Sequence, residues 1–282
     1  MTSLDSRSLE QRRWLVRSMA ASGRGHLASA CSILEICRVL YHDVLRIDPD
    51  APAWPERDRF ILSKGHGCLA LYLQLAERGF FPLEELLQVS HDGAPLGGHP
   101  EAGRAPGIEW STGSLGHGLS VGLGMAVAAR LHGAKHRVFV LLGDGECNEG
   151  SVWEAALAAV QHRATNLVAL VDYNRQQCYA ATEAVVALEP LRAKWESFGW
   201  AVAEVDGHDV AALRATLGAA PLADVRPMVV ICHTVKGKGF PELEGNPVWH
   251  HSAKFTPADA TRLLAQLDAA ESAAATTGNG DA

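Results

Sequence analysis

The chain has 282 residues, 48% of them apolar and 20% charged, with a formal net charge of −7, so it can form a sizeable core in one large domain or at most two. No basic stripe is visible, so nucleic acid and anionic membranes are poor candidates as partners, and no apolar run approaches the ~20 residues that span a bilayer. The first fifteen residues lack the apolar core of a signal peptide, and the six cysteines form no CxxC pair, so we expect free thiols in a cytoplasmic protein.

The first part of the chain predicts two helices followed by loops. Residues 4–20 carry apolar side chains at helical spacing, and a second helix, with a capping box that starts at Ser32, is predicted to run to about residue 46. The proline-rich segment 48–59 and the glycine- and proline-rich segment 91–107 are predicted loops. Long loops such as the second are usually either functional or disordered.

The second part of the chain alternates between predicted strands and helices. A helix made almost entirely of small apolar residues is predicted at 116–131. Apolar runs at 138–142, 167–172, 200–205 and 228–233 follow it, separated by helical patterns at 149–162, 188–198 and 209–218. This alternation predicts βαβ units, and hence an α/β fold with a doubly wound, mostly parallel sheet and helices on both faces. We place one domain at residues 1–255 and a C-terminal helix at residues 256–282, with a low-complexity, disordered tail from Asp268.

Polar residues follow two of these predicted strands. The strand at 138–142 ends in Gly143-Asp144-Gly145, and the next strand ends at Asn174. The carboxyl ends of adjacent parallel strands meet at one edge of the sheet, where open α/β sheets bind ligands, so Asp144 and Asn174 can share one cation. A carboxylate and an amide oxygen, completed by a backbone carbonyl and phosphate oxygens, form a site of the Mg²⁺ type. The helix that begins near Glu149 directs its positive N-terminus to the same place, which suits a phosphate.

The flanking segments give these residues a family context. The stretch "GDGECNEG…NLVALVDYNRQQ" is similar to the thiamine-diphosphate motif, in which an asparagine follows GDG after one βαβ crossover. "GRGHLASACSILEICRVLY", "RFILSKGHGCLALY", "LGGHPE", "STGSLGHGLSVGLGMA" and "HTVKGKGF…NPVWHH" resemble N-terminal signatures of transketolases, in the same order. The resemblance extends over residues 10–255. It implies a diphosphate-binding domain of the PP type that binds thiamine diphosphate and Mg²⁺. The implied reaction (class EC 2.2.1) moves a two-carbon ketol unit from a ketose or ketose phosphate to an aldose.

The resemblance implies a role for individual residues. Mg²⁺ would be ligated by Asp144, Asn174 and the backbone carbonyl of Gln176. Histidines that match those contacting substrate and cofactor are His26, His66, His99 and His250. The implied cofactor-binding positions are Ser29, Lys64, His66, Gly113, Ser114, Leu115, Gly143, Asp144, Gly145, Glu149, Asn174, Lys236 and His250. Among them, Glu149 matches a carboxylate that links the two cofactors of a dimer, and Lys236 is equally explained as a solvated surface charge. His117 and His208 are not assigned to the site, and His208 is expected to cap a helix.

One half of the family's catalytic site has no counterpart in this sequence. The family's activating glutamate lies in a second, pyrimidine-binding domain, and no second α/β pattern follows residue 233. The resemblance therefore implies the N-terminal subunit of a split transketolase that acts on small sugars or sugar phosphates with a pyrimidine-domain subunit, two copies of each. Helix 116–131 could pair two such domains through the GxxxG spacing of Gly118 and Gly122, or could simply be a buried core helix. This chain departs from the common pattern after the first motif histidine, where transketolases commonly have proline and this chain has Leu27; Arg24 sits just before that histidine's motif.

Two other functions remain open at this point. The chain could be the α subunit of a 2-oxo-acid dehydrogenase, which is also a lone diphosphate domain. It could also be a non-catalytic thiamine-diphosphate-binding protein. The histidine set, which serves polyol substrates, argues against the first, and the intact Asp144, Asn174 and histidines argue against the second.

Overall fold

A five-stranded parallel sheet organises the chain, whose computed structural model describes residues 4–220, 225–252 and 254–278. The strands, in chain order, are β1 (Arg59–Leu62), β2 (Val138–Gly143), β3 (Leu167–Tyr173), β4 (Gln176–Gln177), β5 (Ala180–Ala181), β6 (Ala201–Asp206) and β7 (Met228–His233). The central sheet has the order β1-β2-β3-β7-β6, and β4 and β5 form a separate antiparallel hairpin. The predicted strands β2, β3, β6 and β7 are confirmed. Strand β1 was not predicted, because four residues at a sheet edge give too short an apolar run.

Helices cover both faces of the sheet, which confirms the predicted α/β fold. They are α1 (Ser6–Ser22), α2 (Leu27–Val39, continued by a π-helical turn at Leu40–Val44), α3 (Cys68–Glu77), α4 (Gly118–Leu131), α5 (Gly150–Gln161), α6 (Thr182–Val185), α7 (Leu191–Ser197), α8 (Val210–Gly218) and α9 (Pro257–Gly278). In β2, Phe139 and Leu141 face the core formed with α1, α2 and α3, whereas Val140 and Leu142 face the core formed with α4, α5 and α7. This alternation is the period of two of a strand. Because both faces are buried, the strands read as continuous apolar runs.

The start of α2 corrects the predicted capping box. The helix begins at Leu27 rather than at Ser32. Ser32 lies within the helix, where its hydroxyl donates to Oδ1 of Asp172 at 2.6 Å. Glu35 does not reach back to the helix start but accepts a hydrogen bond from Arg12. Two polar residues used for tertiary contacts therefore happen to have the spacing of a helix cap.

The paired glycines of α4 serve the packing of this helix on the sheet. A Cβ atom at Gly122 would lie 2.4 Å from Cγ2 of Val140, and one at Gly118 would lie 2.3 Å from Oγ of Ser63. Both glycines therefore let the helix approach its own sheet and its flanking loop closely. The buried-helix interpretation is correct for this face. Small residues on the opposite face are exposed to solvent: Ser120, Gly124 and Ala128.

Helix α9 extends further than the sequence predicted. The segment from Asp268, predicted as a disordered tail, is helical as far as Gly278. Its alanine-rich composition favours a helix, and Arg13 on α1 donates to Asp268 at 2.9 Å and to Glu271 at 2.6 Å. The remainder of the predicted tail, residues 279–282, lies outside the described residues.

The structure also shows whether any described helix could span a membrane and whether the cysteines are paired. No helix within the described ranges is long and apolar enough to cross a membrane. The six cysteines are free thiols, as predicted, with five of them buried and Cys178 exposed.

A buried ion pair joins α1, α2 and the loop before α8. Nη1 of Arg12 lies 2.6 Å from Oε1 of Glu35, and both side chains are fully buried. The second oxygen of Glu35 is 2.9 Å from Nδ1 of His208, whose Nε2 accepts the N–H of Val235 at 2.9 Å. His208 therefore bridges Glu35 to the backbone, and its predicted capping role is wrong. The residue that caps α8 is Asp209.

Replacement of Glu35 by glutamine tests the contribution of this pair to stability. Because Arg12 would stay buried without a counter-charge, we expect Glu35→Gln to lower the free energy of unfolding by about 3–5 kcal/mol, measured by urea denaturation. Burial raises the pKa of Glu35, but the charges and hydrogen bonds of Arg12 and His208 together outweigh burial, so the pKa of this carboxyl lies well below its usual range. A depressed pKa stabilises the fold above the unfolded value, so the difference between variant and wild type should shrink below about pH 4.

The control for this experiment is Glu10→Gln. Glu10 forms an exposed ion pair with Arg17 at 3.5 Å, and such pairs contribute little to stability. An equal loss of stability in both variants would contradict the role assigned to the buried pair.

Candidate functional site

The carboxyl ends of β2 and β3 bring Asp144 and Asn174 to one edge of the sheet. Gly143 pairs with Asp172 in the β2–β3 register, so the two strands end side by side. Oδ1 of Asp144 accepts the N–H of Gly145 at 2.7 Å, and Oδ2 accepts the N–H of Arg175 at 2.6 Å. The backbone that follows Asn174 thus contacts the Asp144 carboxylate. The two residues that the sequence placed on neighbouring strand ends are together in the structure.

Asp172 orients the amide of Asn174. The Nδ2 group of Asn174 donates to Oδ2 of Asp172 at 2.8 Å and to Oγ of Ser32 at 3.3 Å. The amide oxygen therefore faces away from these acceptors, and it accepts the N–H of Gln176 at 2.9 Å. Asp172 itself is fully buried and pairs with the ammonium group of Lys64. Asp172 was not among the predicted site residues, although a charged residue inside the apolar run "LVALVDYN" is a signal for such a role.

The pKa values of the neighbouring carboxyl groups of Asp144 and Asp172 are shifted in opposite directions. Burial, and then the charge of Asp172, raise the pKa of Asp144 to about 6. Burial also acts to raise the pKa of Asp172, but the charge of Lys64 and the hydrogen bonds from Lys64, Ser32 and Thr234 together outweigh burial and lower this pKa. Within the described residues, Asp144 has no cationic side chain as a hydrogen-bond partner. A bound cation would stabilise its ionised form.

The oxygen ligands at this edge suit a hard cation whose remaining ligands come from a bound molecule such as a phosphate. Among the described residues, no group of three or more His, Cys, Asp and Glu is arranged to hold a metal ion. Asp144, Asn174 and Gln176 line the same cavity at this edge and offer a carboxylate, an amide oxygen and a backbone carbonyl. That carbonyl is 3.4 Å from Nζ of Lys236, near the upper limit for a hydrogen bond. Three protein oxygens leave ligand positions that phosphate oxygens suit.

Most of the predicted site residues line one cavity above this edge, which we call the inner cavity. Its wall includes Glu146, which the sequence analysis did not assign. The predicted residues in the wall are His26, Lys64, His66, His99, Gly113, Leu115, Gly143, Asp144, Gly145, Asn174, Gln176, Lys236 and His250. The predicted residues outside it are Ser29, Ser114 and Glu149. Ser29 is fully buried on α2 with an unpaired hydroxyl, and Ser114 and Glu149 are exposed beside the cavity.

Glu146 holds one wall of the inner cavity together. Its carboxylate accepts the N–H of Gly116 at 2.9 Å, the N–H of Gly143 at 3.0 Å and the hydroxyl of Ser63. These bonds tie the loop before α4 to the ends of β1 and β2. The signal in the sequence was a second carboxylate directly after Gly143-Asp144-Gly145.

Histidines from four separate segments meet above the inner cavity. The ring of His26 lies 5.4 Å from that of His66, 6.0 Å from that of His99 and 5.7 Å from that of His250. His251, which the sequence analysis left out, is nearest, with its ring 4.6 Å from that of His26. The long loop 91–107 carries His99 and is anchored to α3, where the Tyr72 hydroxyl donates to the carbonyl of Gly97 at 3.1 Å. This loop is therefore part of the site.

These histidines are held neutral by their surroundings. Burial, and then the neighbouring His251, lower the pKa of His26 to about 3. Burial, and then Lys236, lower the pKa of His250 to about 4. Burial also lowers the pKa values of His66 and His99. A neutral imidazole can accept a hydrogen bond on one nitrogen and donate from the other, which suits contacts with sugar hydroxyls.

Lys236 is a buried part of the site rather than a surface charge. Its side chain is 5% exposed, and Nζ lies 2.7 Å from Nδ1 of His250. Burial, and then the charge of Lys64, lower the pKa of Lys236 to about 8. A protonated Lys236 donates to Nδ1 and so leaves the ring proton of His250 on Nε2. His117, in contrast, is exposed at the start of α4 and lines neither this cavity nor the next.

A second cavity, which we call the outer chamber, lies beside the first. It shares His26, His66 and His99 with the inner cavity, and its wall also includes Arg24 and Ser90. The rings of the shared histidines thus lie between a compartment over the strand ends and one that is lined by Arg24 and Ser90. A ligand that extends through both would pass between neutral imidazoles.

Comparisons with known proteins agree on one family. The family model described as "Transketolase, thiamine diphosphate binding domain" matches residues 5–268. An apulose-4-phosphate transketolase subunit of Phocaeicola vulgatus is 42% identical over 248 residues, which is 88% of each chain. The 6-deoxy-6-sulfo-D-fructose transketolase subunit SqwG of a Clostridium species is 38% identical, over 91% of this chain and 93% of that protein. Transketolase from Leishmania mexicana superposes with a TM-score of 0.83 at 25% identity, over 96% of this chain but 45% of that one.

The neutral state of the histidines can be tested by NMR. We expect the ring resonances of His26 and His250 to show no titration between about pH 8 and about pH 5, because burial opposes protonation. The unfolded chain takes up these protons below about pH 6.5, so stability should fall as the pH drops. Imidazole spectra of the labelled protein, assigned with His26→Asn and His250→Asn, measure this. A titration midpoint near pH 6.5 for either ring would contradict the electrostatic description.

Proposed function

This chain belongs to the transketolase family, in which it corresponds to the diphosphate-binding subunit of split enzymes, and from this premise we propose that it transfers a two-carbon ketol unit between small sugars. The observation that carries the proposal is that Asp144 and Asn174, with its oriented amide oxygen, line the same cavity as a cluster of neutral histidines. The first site suits a metal-bound diphosphate, and the second suits a polyhydroxylated substrate. The family match favours this function over a 2-oxo-acid dehydrogenase subunit.

We propose that the strand edge holds Mg²⁺ and the diphosphate. Asp144, Asn174 and the Gln176 carbonyl would ligate the metal, and the cationic Lys64 and Lys236 lie close to the same edge. Thiamine diphosphate would supply the carbanion that attacks the ketose carbonyl and carries the two-carbon unit. The rest of the implied cofactor contacts, from Gly113 to Leu115 and at Gly143 and Gly145, are backbone segments of the inner cavity or directly beside it.

The histidines would bind substrate and move its protons. In the neutral state, each imidazole of His26, His66, His99 and His250 can accept a proton from a hydroxyl or donate one to a developing alkoxide. The bond from Lys236 leaves His250 with its Nε2–H as a donor. His251, whose ring lies beside that of His26, belongs to the same group. The proposed reaction therefore needs no histidine to be charged before substrate binds.

We also propose that the working enzyme contains a pyrimidine-domain partner subunit, with two copies of each chain. The apulose-4-phosphate and 6-deoxy-6-sulfo-D-fructose transketolase relatives, which match this chain in length, are described as subunits, and oligomers prefer closed two-fold arrangements. The outer face of α4 and the neighbouring α5 present exposed small and apolar residues, among them Gly124, Ala128 and Leu157. Glu149, at the start of α5, is exposed on this side. An exposed carboxylate there fits the network between two cofactors that the family resemblance implies.

Assays with and without a partner test the proposed function. We expect the purified chain, saturated with Mg²⁺ and thiamine diphosphate, to transfer no ketol unit from ketoses or ketose phosphates, because the activating glutamate would come from the partner. Addition of a pyrimidine-domain subunit should produce activity. Turnover by this chain alone would disprove the split-enzyme proposal, and inactivity of the assembled pair on every sugar tested would disprove ketol transfer.

Replacement of Asp144 tests the metal site separately. We expect Asp144→Ala in the assembled enzyme to abolish Mg²⁺-dependent binding of thiamine diphosphate in calorimetry, because the only carboxylate among the proposed ligands is lost. The matched control is Asp209→Ala, which removes the cap of α8 and should bind cofactor normally. Unchanged cofactor affinity in Asp144→Ala would rule out the assignment.

A further inference from the structure

Arg24 occupies the wall of the outer chamber, on the side of the histidines that is remote from the strand ends. The outer chamber includes Arg24 and Ser90 but none of the residues at the carboxyl ends of β2 and β3. The inner cavity includes those strand ends but not Arg24. A sugar whose reacting carbonyl lies in the inner cavity would therefore extend its far end past the histidines toward Arg24.

The backbone that carries Arg24 is fixed on both sides. Gly25 and Ser252 exchange two backbone hydrogen bonds of 2.9 Å, and the N–H of Phe255 donates to the carbonyl of Gly23 at 2.6 Å. Gly23 and Gly25 have φ values of 69° and 145°, which favour glycine. The hydroxyl of Ser22 also donates to the carbonyl of Arg24 at 2.8 Å. These bonds join the Arg24 segment to the loop that carries His250 and His251.

The charge balance of the outer chamber is positive. No Asp or Glu is among the described residues that line it. Burial lowers the pKa values of His26, His66 and His99, so these rings add no charge at neutral pH. Burial raises the pKa of Cys68 to about 12, so its thiol is neutral as well. The guanidinium of Arg24 supplies a permanent positive charge, in a chain whose net charge is −7.

The donors of Arg24 and Ser90 are free to bind a ligand. Within the described residues, neither side chain has a hydrogen-bond partner or an ion-pair partner. Ser90 has a φ of 63°, unusual for a residue with a side chain, and its N–H donates to the carbonyl of Leu96 at 2.8 Å. Ser90 therefore also has a fixed backbone. A planar guanidinium and a hydroxyl are donors that suit a tetrahedral anion.

We propose that Arg24, with Ser90, binds the anionic terminal group, a phosphate or a sulfonate, of the sugar substrate. This inference rests on the proposed ketol transfer and adds a determinant of specificity to it. Arg24 would distinguish charged sugars from neutral ones, whereas the histidines contact the hydroxyls that both share. A carboxylate of the partner subunit is the competing ligand for Arg24.

The test uses the assembled enzyme with Mg²⁺ and thiamine diphosphate, and two acceptors that differ only in a phosphate, D-glyceraldehyde 3-phosphate and D-glyceraldehyde. We expect Arg24→Ala to lower kcat/KM for the phosphorylated acceptor by about 10- to 100-fold, the loss of a hydrogen bond to a charged group, and to leave the neutral acceptor nearly unchanged. Arg24→Lys should recover part of the loss because it keeps the charge without the planar fork. The matched control is Arg17→Ala, which removes an exposed arginine stacked on Trp14 and should change neither value.

Direct anion binding separates this inference from the proposed function. Calorimetric titration of the same assembly with inorganic phosphate, and separately with methanesulfonate, should show weaker binding in Arg24→Ala than in the wild type. The anion that the wild type binds more tightly identifies the terminal group. If the wild type transfers no ketol unit, the proposed function fails while this titration still decides the role of Arg24. Equal losses for both acceptors, or equal anion affinity in variant and wild type, would overturn the proposal. Weaker association of the two subunits with an unchanged preference between acceptors would also overturn it and assign Arg24 to the partner.

Discussion

The buried pair of Lys64 and Asp172 is the interaction on which the rest of the site depends. A buried charge is costly unless it is paired and hydrogen-bonded, and Asp172 satisfies this requirement with Lys64 and the hydroxyls of Ser32 and Thr234. These partners come from α2, from the end of β1 and from the end of β7. The same carboxylate then fixes the amide of Asn174. One paired charge thereby sets the positions of four segments around the inner cavity.

This pair also explains why the neighbouring carboxyl group is suited to a cation. Lys64 pairs with Asp172, so in the described part of the chain Asp144 keeps only backbone N–H groups and one hydroxyl as hydrogen-bond partners. Burial and the charge of Asp172 raise the pKa of Asp144. A cation bound beside this carboxylate would therefore stabilise its ionised form. Above it, burial and the lysines keep the histidines neutral. The site therefore separates a region for a cation and a diphosphate from a region for hydroxyl groups.

The two sides of helix α4 have different packing roles. Gly118 and Gly122 bring the helix against the loop after β1 and against β2. The opposite side, with Gly124 and Ala128 exposed, remains free for the interface we propose between two copies of the domain. The spacing of glycines in the sequence suggested close helix approach, but the same spacing is satisfied by a sheet or by another helix. Only the position of β2 and its Val140 distinguishes the two.

Local signals in the sequence were sufficient for the α/β fold, for strands β2, β3, β6 and β7, and for the meeting of Asp144 and Asn174. Burial on both faces produces continuous apolar runs, and parallel strands must end at the same edge, so these features follow from local patterns and topology. The tertiary structure alone decided the roles of Asp172, Glu146, Ser32 and His208. Each of these side chains finds its partner far along the chain, as Ser32 does 140 residues away in Asp172. A short sequence motif carries no information about such a partner, because the energy of a buried polar group is set by whatever the fold places beside it.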